Sequence, residues 1–221
     1  MSPPEPASAG AAHTPRWERR KESRPAELLD AALDLFVERG YAATRLDDIA
    51  SRAGVSKGTL YLYFANKEEL FKALVRENIV RLLDRFRAEV EDSEAPAAEL
   101  LAAFLHGWWR DFGGTRLAGL AKLVMSEAGN FPEVARFFHE EVIRPNGDLL
   151  GSIVARGVAS GEFRPVDVEI AVHLWIAPLV MKAMWTHSFE LCQLSGHAVD
   201  PQRMIDTHLD LILAALRPAD R

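Results

Sequence analysis

The chain has 221 residues, of which 48% are apolar and 26% are charged, and its formal net charge is −6. This apolar fraction is sufficient for one large or two small globular domains, and it excludes a chain that is disordered throughout. A single cysteine, Cys192, excludes an intrachain disulfide and a cysteine-based zinc cluster, as expected for a protein of a reducing cytoplasm.

Two N-terminal stretches precede the first regular apolar pattern. Residues 1–15, MSPPEPASAGAAHTP, are rich in Pro, Ala and Ser, which predicts a disordered tail without the hydrophobic region of a signal peptide. Residues 16–24 contain five bases and two acids, and this composition fits either a solvated helical turn or an arm lying on DNA. No apolar run approaches the roughly 18–20 residues that span a bilayer, so we expect no membrane association.

Three short helices are predicted between residues 25 and 64. The first runs from Pro25 to Arg39, because proline is tolerated at a helix start and a glycine follows Arg39. The second begins near Arg45, where the hydroxyl of Thr44 can cap it, and ends at Gly54, which can adopt a positive φ. Ser56 can cap the third helix. Their apolar stripes are expected to form one small core made of Leu28, Leu29, Ala32, Leu35, Phe36, Ile49, Leu60 and Phe64.

The outer face of the third helix has an unusual composition. With Leu60 and Phe64 facing inward, it presents a glycine, hydroxyl groups and a leucine between two lysines, whereas a solvated face normally carries Glu and Lys. A helix that is small near its N-terminus can approach a major groove, while tyrosine and lysine reach the flanking phosphates. The pattern indicates a helix-turn-helix, although three amphipathic helices packed together with half-buried tyrosines fit the same spacing.

The run GYAATRLDDIASRAGVSKGTLYLYFANKEEL, residues 40–70, resembles the DNA-binding domain of the TetR/AcrR regulators almost position for position. The resemblance implies that Thr44 caps helix two and contacts the DNA backbone, and that Lys67 contacts a phosphate. Two positions depart from the family: Arg45 replaces the usual Ser or Thr, and Leu62 is less polar than in many relatives, so base readout there would be an apolar contact. The residues that match the recognition helix and its cap are Ser56, Lys57, Gly58, Thr59, Tyr61 and Tyr63.

The remainder of the sequence predicts an all-α protein. Residues 67–92 show a 3.6-residue apolar period, which predicts one long helix. Further helices are expected at 97–112, 116–128, 131–159, 167–193 and 201–216, with kinks or breaks at Pro145 and Pro178. The predicted organisation is a disordered tail over 1–15, an N-terminal three-helix helix-turn-helix domain over 16–66, a connecting helix over 67–92 and a helical-bundle ligand-binding and dimerisation domain over 93–221.

The helix predicted over 167–193 is apolar nearly all round, so most of its sides must be covered. One side can face its own domain, and the other needs a second chain. With the final helix it would supply two helices per subunit to a four-helix interface, and the TetR/AcrR resemblance likewise implies a homodimer joined through the last two long helices. A looser resemblance, from Ser126 to Glu162, is to the C-terminal module of AefR-like regulators.

Several aromatic and methionine side chains are candidates for an effector cavity, because such linings suit apolar small molecules. Any one of them taken alone is more typical of an ordinary core, and whether some of them together line a cavity stays open at this point. The histidines follow no metal-ligand pattern, and no phosphate loop or nucleophile elbow is recognisable, so we expect no metal, no cofactor and no catalytic residue. The candidate effector residues are Trp108, Phe112, Met125, Phe138, His173, Trp175, Met181 and Trp185.

The distribution of charge bears on the function. Residues 1–67 contain 10 Lys/Arg and 9 Asp/Glu, whereas residues 68–221 contain 16 and 23. An acidic body would restrict DNA binding to one orientation and make it salt-dependent. We expect a cytoplasmic homodimeric repressor that a small apolar or amphipathic effector releases from a palindromic double-stranded DNA operator. One alternative is a helical-bundle small-molecule carrier or enzyme without sequence-specific DNA binding. A milder alternative keeps DNA binding but makes the protein an activator or a regulator without a ligand.

Overall fold

The computed structural model describes residues 16–189 and 199–218, with side chains from residue 24 onward. All regular structure in these ranges is helical, as the sequence predicts. The tail expected to be disordered, Cys192 and the end of the helix expected over 167–193 lie outside the described residues. The helices are α1 Arg16–Ala43, α2 Leu46–Arg52, α3 Lys57–Tyr61, α4 67–91, α5 97–113, α6 Ala118–Glu127, α7 132–160, α8 Val168–Thr186 and α9 Pro201–Leu216.

The first helix is longer than predicted at its N-terminus. It begins at Arg16 and continues through Pro25, because arginine, lysine and glutamate favour helix and offset the single hydrogen bond that the proline removes. At the other end the prediction was accurate, since Gly40 leaves the helical conformation with φ 83° and ψ 169°. We refer to α1–α3 as the head and to α5–α9 as the body; α4 connects them.

The three helices of the head pack around buried apolar side chains, to which the start of α4 contributes. Phe36 is fully buried and lies 5.5 Å from the ring of Tyr41 and 5.7 Å from that of Phe71, which α4 contributes. The predicted stripe is confirmed, because all eight of its members are less than 9% exposed. These side chains fix how α3 sits on α1 and α2.

Three of the longer helices contain a π turn. These turns are Arg76–Val80 in α4, Trp109–Gly113 at the end of α5 and His139–Ile143 in α7. The sequence predicted a kink or a break at each proline, and neither proline breaks its helix. Pro145 directly follows the π turn of α7, and α8 continues through Pro178. A π turn is one of the local adjustments that accommodate a missing backbone donor.

The helix α8 contradicts one expectation from the sequence. Val168–Thr186 is long and apolar enough to cross a membrane by length and composition alone, although no such run was expected. Only 22% of this apolar window is buried within the chain. Much of its apolar surface is therefore available to a partner, which is the arrangement that the dimer prediction requires.

Candidate nucleic-acid interface and apolar cavity

The turn between α2 and α3 is built by two residues that the sequence identifies. Gly54 adopts φ 67°, a conformation that favours glycine, and so ends α2. The Oγ atom of Ser56 accepts a hydrogen bond from the backbone N–H of Thr59 at 3.1 Å and caps α3. Leu60 is fully buried beneath the helix. The opposite side of α3 consequently faces solvent.

That solvent-facing side is not sealed by packing. Tyr61 is 46% exposed, Leu62 is 82% exposed, and Gly58 is exposed beside them, while Tyr63 is partly buried. The Nζ atom of Lys57 lies 2.9 Å from Asp47, and this hydrogen bond is the main cause that raises the pKa of Lys57. The face therefore offers apolar and hydroxyl groups more than net positive charge.

Thr44 does not play the part that the sequence predicts. Its side chain is buried, and its single O–H is shared between the carbonyl oxygens of Gly40, at 2.7 Å, and Leu35, at 3.1 Å. Arg45 is the residue at the N-cap of α2, and no side chain caps that helix. The predicted cap was wrong, because the break at Gly40 leaves carbonyl groups nearby that the hydroxyl satisfies instead.

Lys67 also points into the protein. Its ammonium group donates to the carbonyl oxygens of Tyr41, Ala42 and Thr44 at 2.7, 3.3 and 3.1 Å. The side chain is partly buried, and desolvation lowers the pKa of Lys67. The phosphate contact implied by the resemblance would require the loss of these hydrogen bonds.

Contacts on α1 join the head to the body. Arg116, in the loop between α5 and α6, forms ion pairs with Asp30 and Asp34. On α6, Gly119 lies so close to Val37 that an added Cβ would be 2.8 Å from its Cγ2 atom. The orientation of the head is thus set by α6 packing on α1.

The body contains a cavity of about 900 Å³. This volume is near the upper end of the range of roughly 300–1,000 Å³ that is typical of small-molecule sites. Its walls come from five helices, α4 to α8, and the lining is mainly apolar. Each π turn contributes at least one lining residue. Side chains that form the apolar wall include Ile79, Leu82, Phe86, Phe104, Trp108, Phe112, Val124, Phe138, Val142 and Val172.

Five of the eight predicted effector residues line this cavity: Trp108, Phe112, Met125, Phe138 and His173. The other three do not line it, so their role in effector binding stays a prediction. Trp175 is partly buried and accepts a hydrogen bond from His208 through its carbonyl, at 2.8 Å. Met181 and Trp185 are 65% and 45% exposed on the opposite side of α8.

The rim of the cavity carries charge that the sequence did not single out. Arg144 is exposed and lines the cavity next to His139 and Asn146 of the same helix, while Asp148 and Glu169 lie on the rim as well. Met125 and Ile143 are 62% and 53% exposed, which marks this side as the mouth. The only sequence signal for the wall of α4 was its apolar stripe, which gave no indication of a void.

An apolar stripe covers the outside of α8. Ile170, Leu174, Met181 and Trp185 are 56%, 64%, 65% and 45% exposed, and their spacings of four, seven and four residues place them on one helical face. Leu211 on α9 is 66% exposed. Contiguous exposed side chains of this size are typical of surfaces that another protein covers.

Two family models match the chain. Residues 28–74 match a model described as bacterial regulatory proteins, tetR family. Residues 90–191 match one described as tetracyclin repressor-like, C-terminal domain. The narrower resemblance to AefR-like regulators stays a prediction.

Individual relatives agree with the family models. The fatty acid metabolism regulator protein of Bacillus subtilis is 30% identical over 154 residues, covering 68% of this chain and 78% of the relative. The repressor KstR2 of Mycolicibacterium smegmatis is 30% identical over 150 residues, covering 67% and 72%. The structure of FadR from Bacillus subtilis in complex with stearoyl-CoA has a TM-score of 0.72 at 24% identity, covering 87% of this chain and 99% of that one.

Proposed function

Because the chain belongs to the TetR family of bacterial transcriptional regulators, we propose that it is a cytoplasmic homodimeric repressor which a long amphipathic effector with an anionic end releases from a palindromic operator. One observation carries the proposal: an exposed recognition helix is joined by the continuous helix α4 to the wall of an apolar cavity of about 900 Å³. No reaction is needed to explain either feature.

The DNA-binding half of the proposal is supported by the face of α3. Gly58 permits close approach to a major groove, and Tyr61, Leu62 and Tyr63 can contact bases or phosphates. Ser56, Lys57 and Thr59 flank that approach, and Arg45 is an exposed cation at the start of α2. Thr44 drops out of the interface, because its side chain is buried.

Dimerisation is supported by the exposed stripe on α8 together with Leu211. A short recognition helix makes too few base contacts for discrimination, whereas a twofold pair reads two half-sites. Recognition helices in such a pair would lie about 34–36 Å apart, one major-groove repeat. Burial of the stripe between two copies would also explain why α8 is apolar enough, by length and composition, to cross a membrane.

The effector is inferred from the cavity and its rim. An apolar wall of this volume accommodates a long hydrocarbon or ring system, and Arg144 at the mouth can bind a carboxylate or phosphate. The relatives are named for fatty acid and, in KstR2 of Mycobacterium tuberculosis, ketosteroid regulation. A fatty acyl chain on an anionic carrier, such as an acyl-CoA, fits the apolar wall, and its anionic end would pair with Arg144 and point away from Asp148 and Glu169 on the same rim.

Operator binding is tested by fluorescence anisotropy with the DNA that flanks the protein's own gene. Tyr61→Ala and Leu62→Ala are expected to weaken specific binding by about 1–3 kcal/mol each. Arg45→Ala should reduce the slope of log affinity against log salt by about 0.9, the value of one phosphate contact. Arg136→Ala, which removes the same charge from an exposed site on α7, should leave the slope unchanged.

Effector binding is tested with stearoyl-CoA as the probe. It is expected to raise the melting temperature and to release the operator, whereas coenzyme A alone does neither. Ala121→Trp and Gly151→Leu, which fill the cavity from α6 and α7, should abolish both effects and retain operator binding. Arg144→Ala should weaken stearoyl-CoA binding, with Arg136→Ala again as the charge-matched control.

The carrier alternative predicts a different pattern. It requires stearoyl-CoA to bind while the protein shows no sequence preference on DNA at moderate salt. Under that alternative Tyr61→Ala would also leave any residual DNA binding unchanged. Observing both results would overturn the repressor proposal.

A further inference from the structure

The three carbonyl groups bound by Lys67 belong to one short segment. Residues 41–44 follow the break at Gly40 and end α1 before α2 begins, so their carbonyl groups lack regular helical partners. Three hydrogen bonds use every donor of an ammonium group. Lys67 is the first residue of α4, and all three of its ammonium hydrogens therefore bond to the end of α1.

The same ammonium group lies against two aromatic rings. It is 4.5 Å from the ring centroid of Tyr41 and 6.0 Å from that of Phe131, and these two rings meet edge to face at 4.8 Å. A cation in such positions is attracted to the ring faces. Phe131 belongs to the body, whereas Tyr41 belongs to the head, so the cation lies at their junction.

A further contact joins the same segment to the body. The backbone N–H of Ala42 donates to the carboxylate of Glu127 at 3.4 Å. Glu127 and Phe131 bracket the loop between α6 and α7, and both helices line the cavity, through Val124 and Phe138 among others. A change in the cavity wall would therefore reach Lys67 through a loop of only a few residues.

We propose that Lys67 is a positioning residue, which clamps the end of α1 and the start of α4 against the body and couples the cavity to the recognition helix without contacting DNA. This inference rests on the proposed repressor function. It differs from the role implied by the sequence resemblance, in which the same lysine contacts a phosphate.

The experiment compares full-length wild type with Lys67→Met, using operator anisotropy over a range of salt concentrations with and without stearoyl-CoA. A positioning role predicts that the salt slope is unchanged, while the effector-induced loss of affinity falls by about fivefold or more. A slope smaller by about 0.9 would show a lost phosphate contact and overturn the proposal. An unchanged effector response would overturn it as well.

Two further variants keep the test decisive if Lys67→Met folds poorly. Lys67→Arg retains the charge that a phosphate contact needs but fits the three carbonyl groups differently, so only the positioning role predicts a weaker effector response. Phe131→Leu changes the junction from the body and should give the same defect, without additivity when combined with Lys67→Arg. Additive defects would contradict a shared junction.

A readout independent of DNA separates this inference from the proposed function. Hydrogen exchange of residues 41–44 and of the loop 128–131 should accelerate together in Lys67→Met. Absence of operator binding by the wild type would refute the repressor function, and the exchange result would still decide whether Lys67 forms the junction. Acceleration confined to 41–44 would refute the junction.

Discussion

The head and the body bury their apolar side chains in different ways. In the head, Phe36, Leu60 and Ile49 have no exposed surface, and they lie in the core between α1, α2 and α3. In the body, Phe112 and Phe138 are almost as inaccessible to solvent, yet one side of each faces a cavity of about 900 Å³. The comparison indicates that the head is close-packed in one geometry, whereas the body leaves part of its apolar surface without packing partners around the cavity.

The difference extends to how the two regions are specified. The head is formed by three helices that are contiguous in sequence, together with the start of α4, and its turn needs only Gly54 and Ser56. The cavity is formed by helices spread over about a hundred residues. Its shape depends on long-range packing, and among the described residues the contacts on α1 and α4 connect its walls to the head.

The largest expected effect is on the free energy of unfolding, and it is tested by truncating one buried phenylalanine in each region. Phe36→Ala in the filled core of the head should lower the free energy of unfolding by about 3–5 kcal/mol. Phe138→Ala should cost less than half as much, because one side of its ring already lacks packing partners. Chemical denaturation of the two variants checks this, and equal losses would contradict the packing difference.

A second comparison places the same substitution in each region. Leu174→Glu introduces a charge into the stripe on α8 and should convert the dimer to monomers, because burying an unpaired charge is costly. Leu62→Glu on the face of α3 should abolish operator binding and leave the dimer intact. Light scattering after size exclusion measures assembly, and a dimeric Leu174→Glu protein would show that the stripe is not the interface.

The junction between α1 and α6 provides a third test with a matched control. Gly119→Ala places a methyl group against Val37 and should destabilise the protein by about 1–3 kcal/mol while lowering operator affinity. Gly129→Ala makes the same change where no atom lies within 4 Å, so it should have little effect. Thermal melting and anisotropy distinguish the two, and equal behaviour would argue that this junction does not orient the head.

The smallest expected effect concerns the ion pair between Arg76 of α4 and Glu141 of α7. The hydrogen bond from Arg76 is the main cause that lowers the pKa of Glu141 below its ordinary value of 4.5. The pair's stabilisation is therefore fully present above about pH 4.5 and is lost as the pH falls through the lowered pKa. Both groups are partly exposed, so Arg76→Gln should cost only about 0–1 kcal/mol at neutral pH.

That pH dependence is itself the check. The difference in unfolding free energy between wild type and Arg76→Gln should shrink in acid, once Glu141 is protonated. A difference that stayed constant down to pH 3 would mean that Arg76 acts through packing on the ring of Phe137, whose centroid lies 5.0 Å from its guanidinium carbon.

The sequence could predict elements whose causes are local. The 3.6-residue periods gave the helices, Gly40 and Gly54 gave the breaks, and Ser56 gave the cap of α3, because each depends on residues within one or two turns. The exposed face of Tyr61 and Leu62 followed from the same period. Trp175, Met181 and Trp185 were grouped with the cavity residues although they do not line the cavity. The reason is that α8 is apolar on all sides, so its period does not indicate which side faces the cavity.

Tertiary structure decided everything that depends on which distant groups meet. The carboxylate of Glu162 accepts hydrogen bonds from the backbone N–H groups of Ala97 and Ala98 at the start of α5. Arg144 lies at the mouth of a cavity whose other walls are distant in sequence. Lys67 turns toward the protein because the break at Gly40 leaves carbonyl groups within its reach. By itself the sequence determined the helices and the family, since both are recorded in local patterns; the cavity and the junction arise from packing between helices that local patterns do not encode.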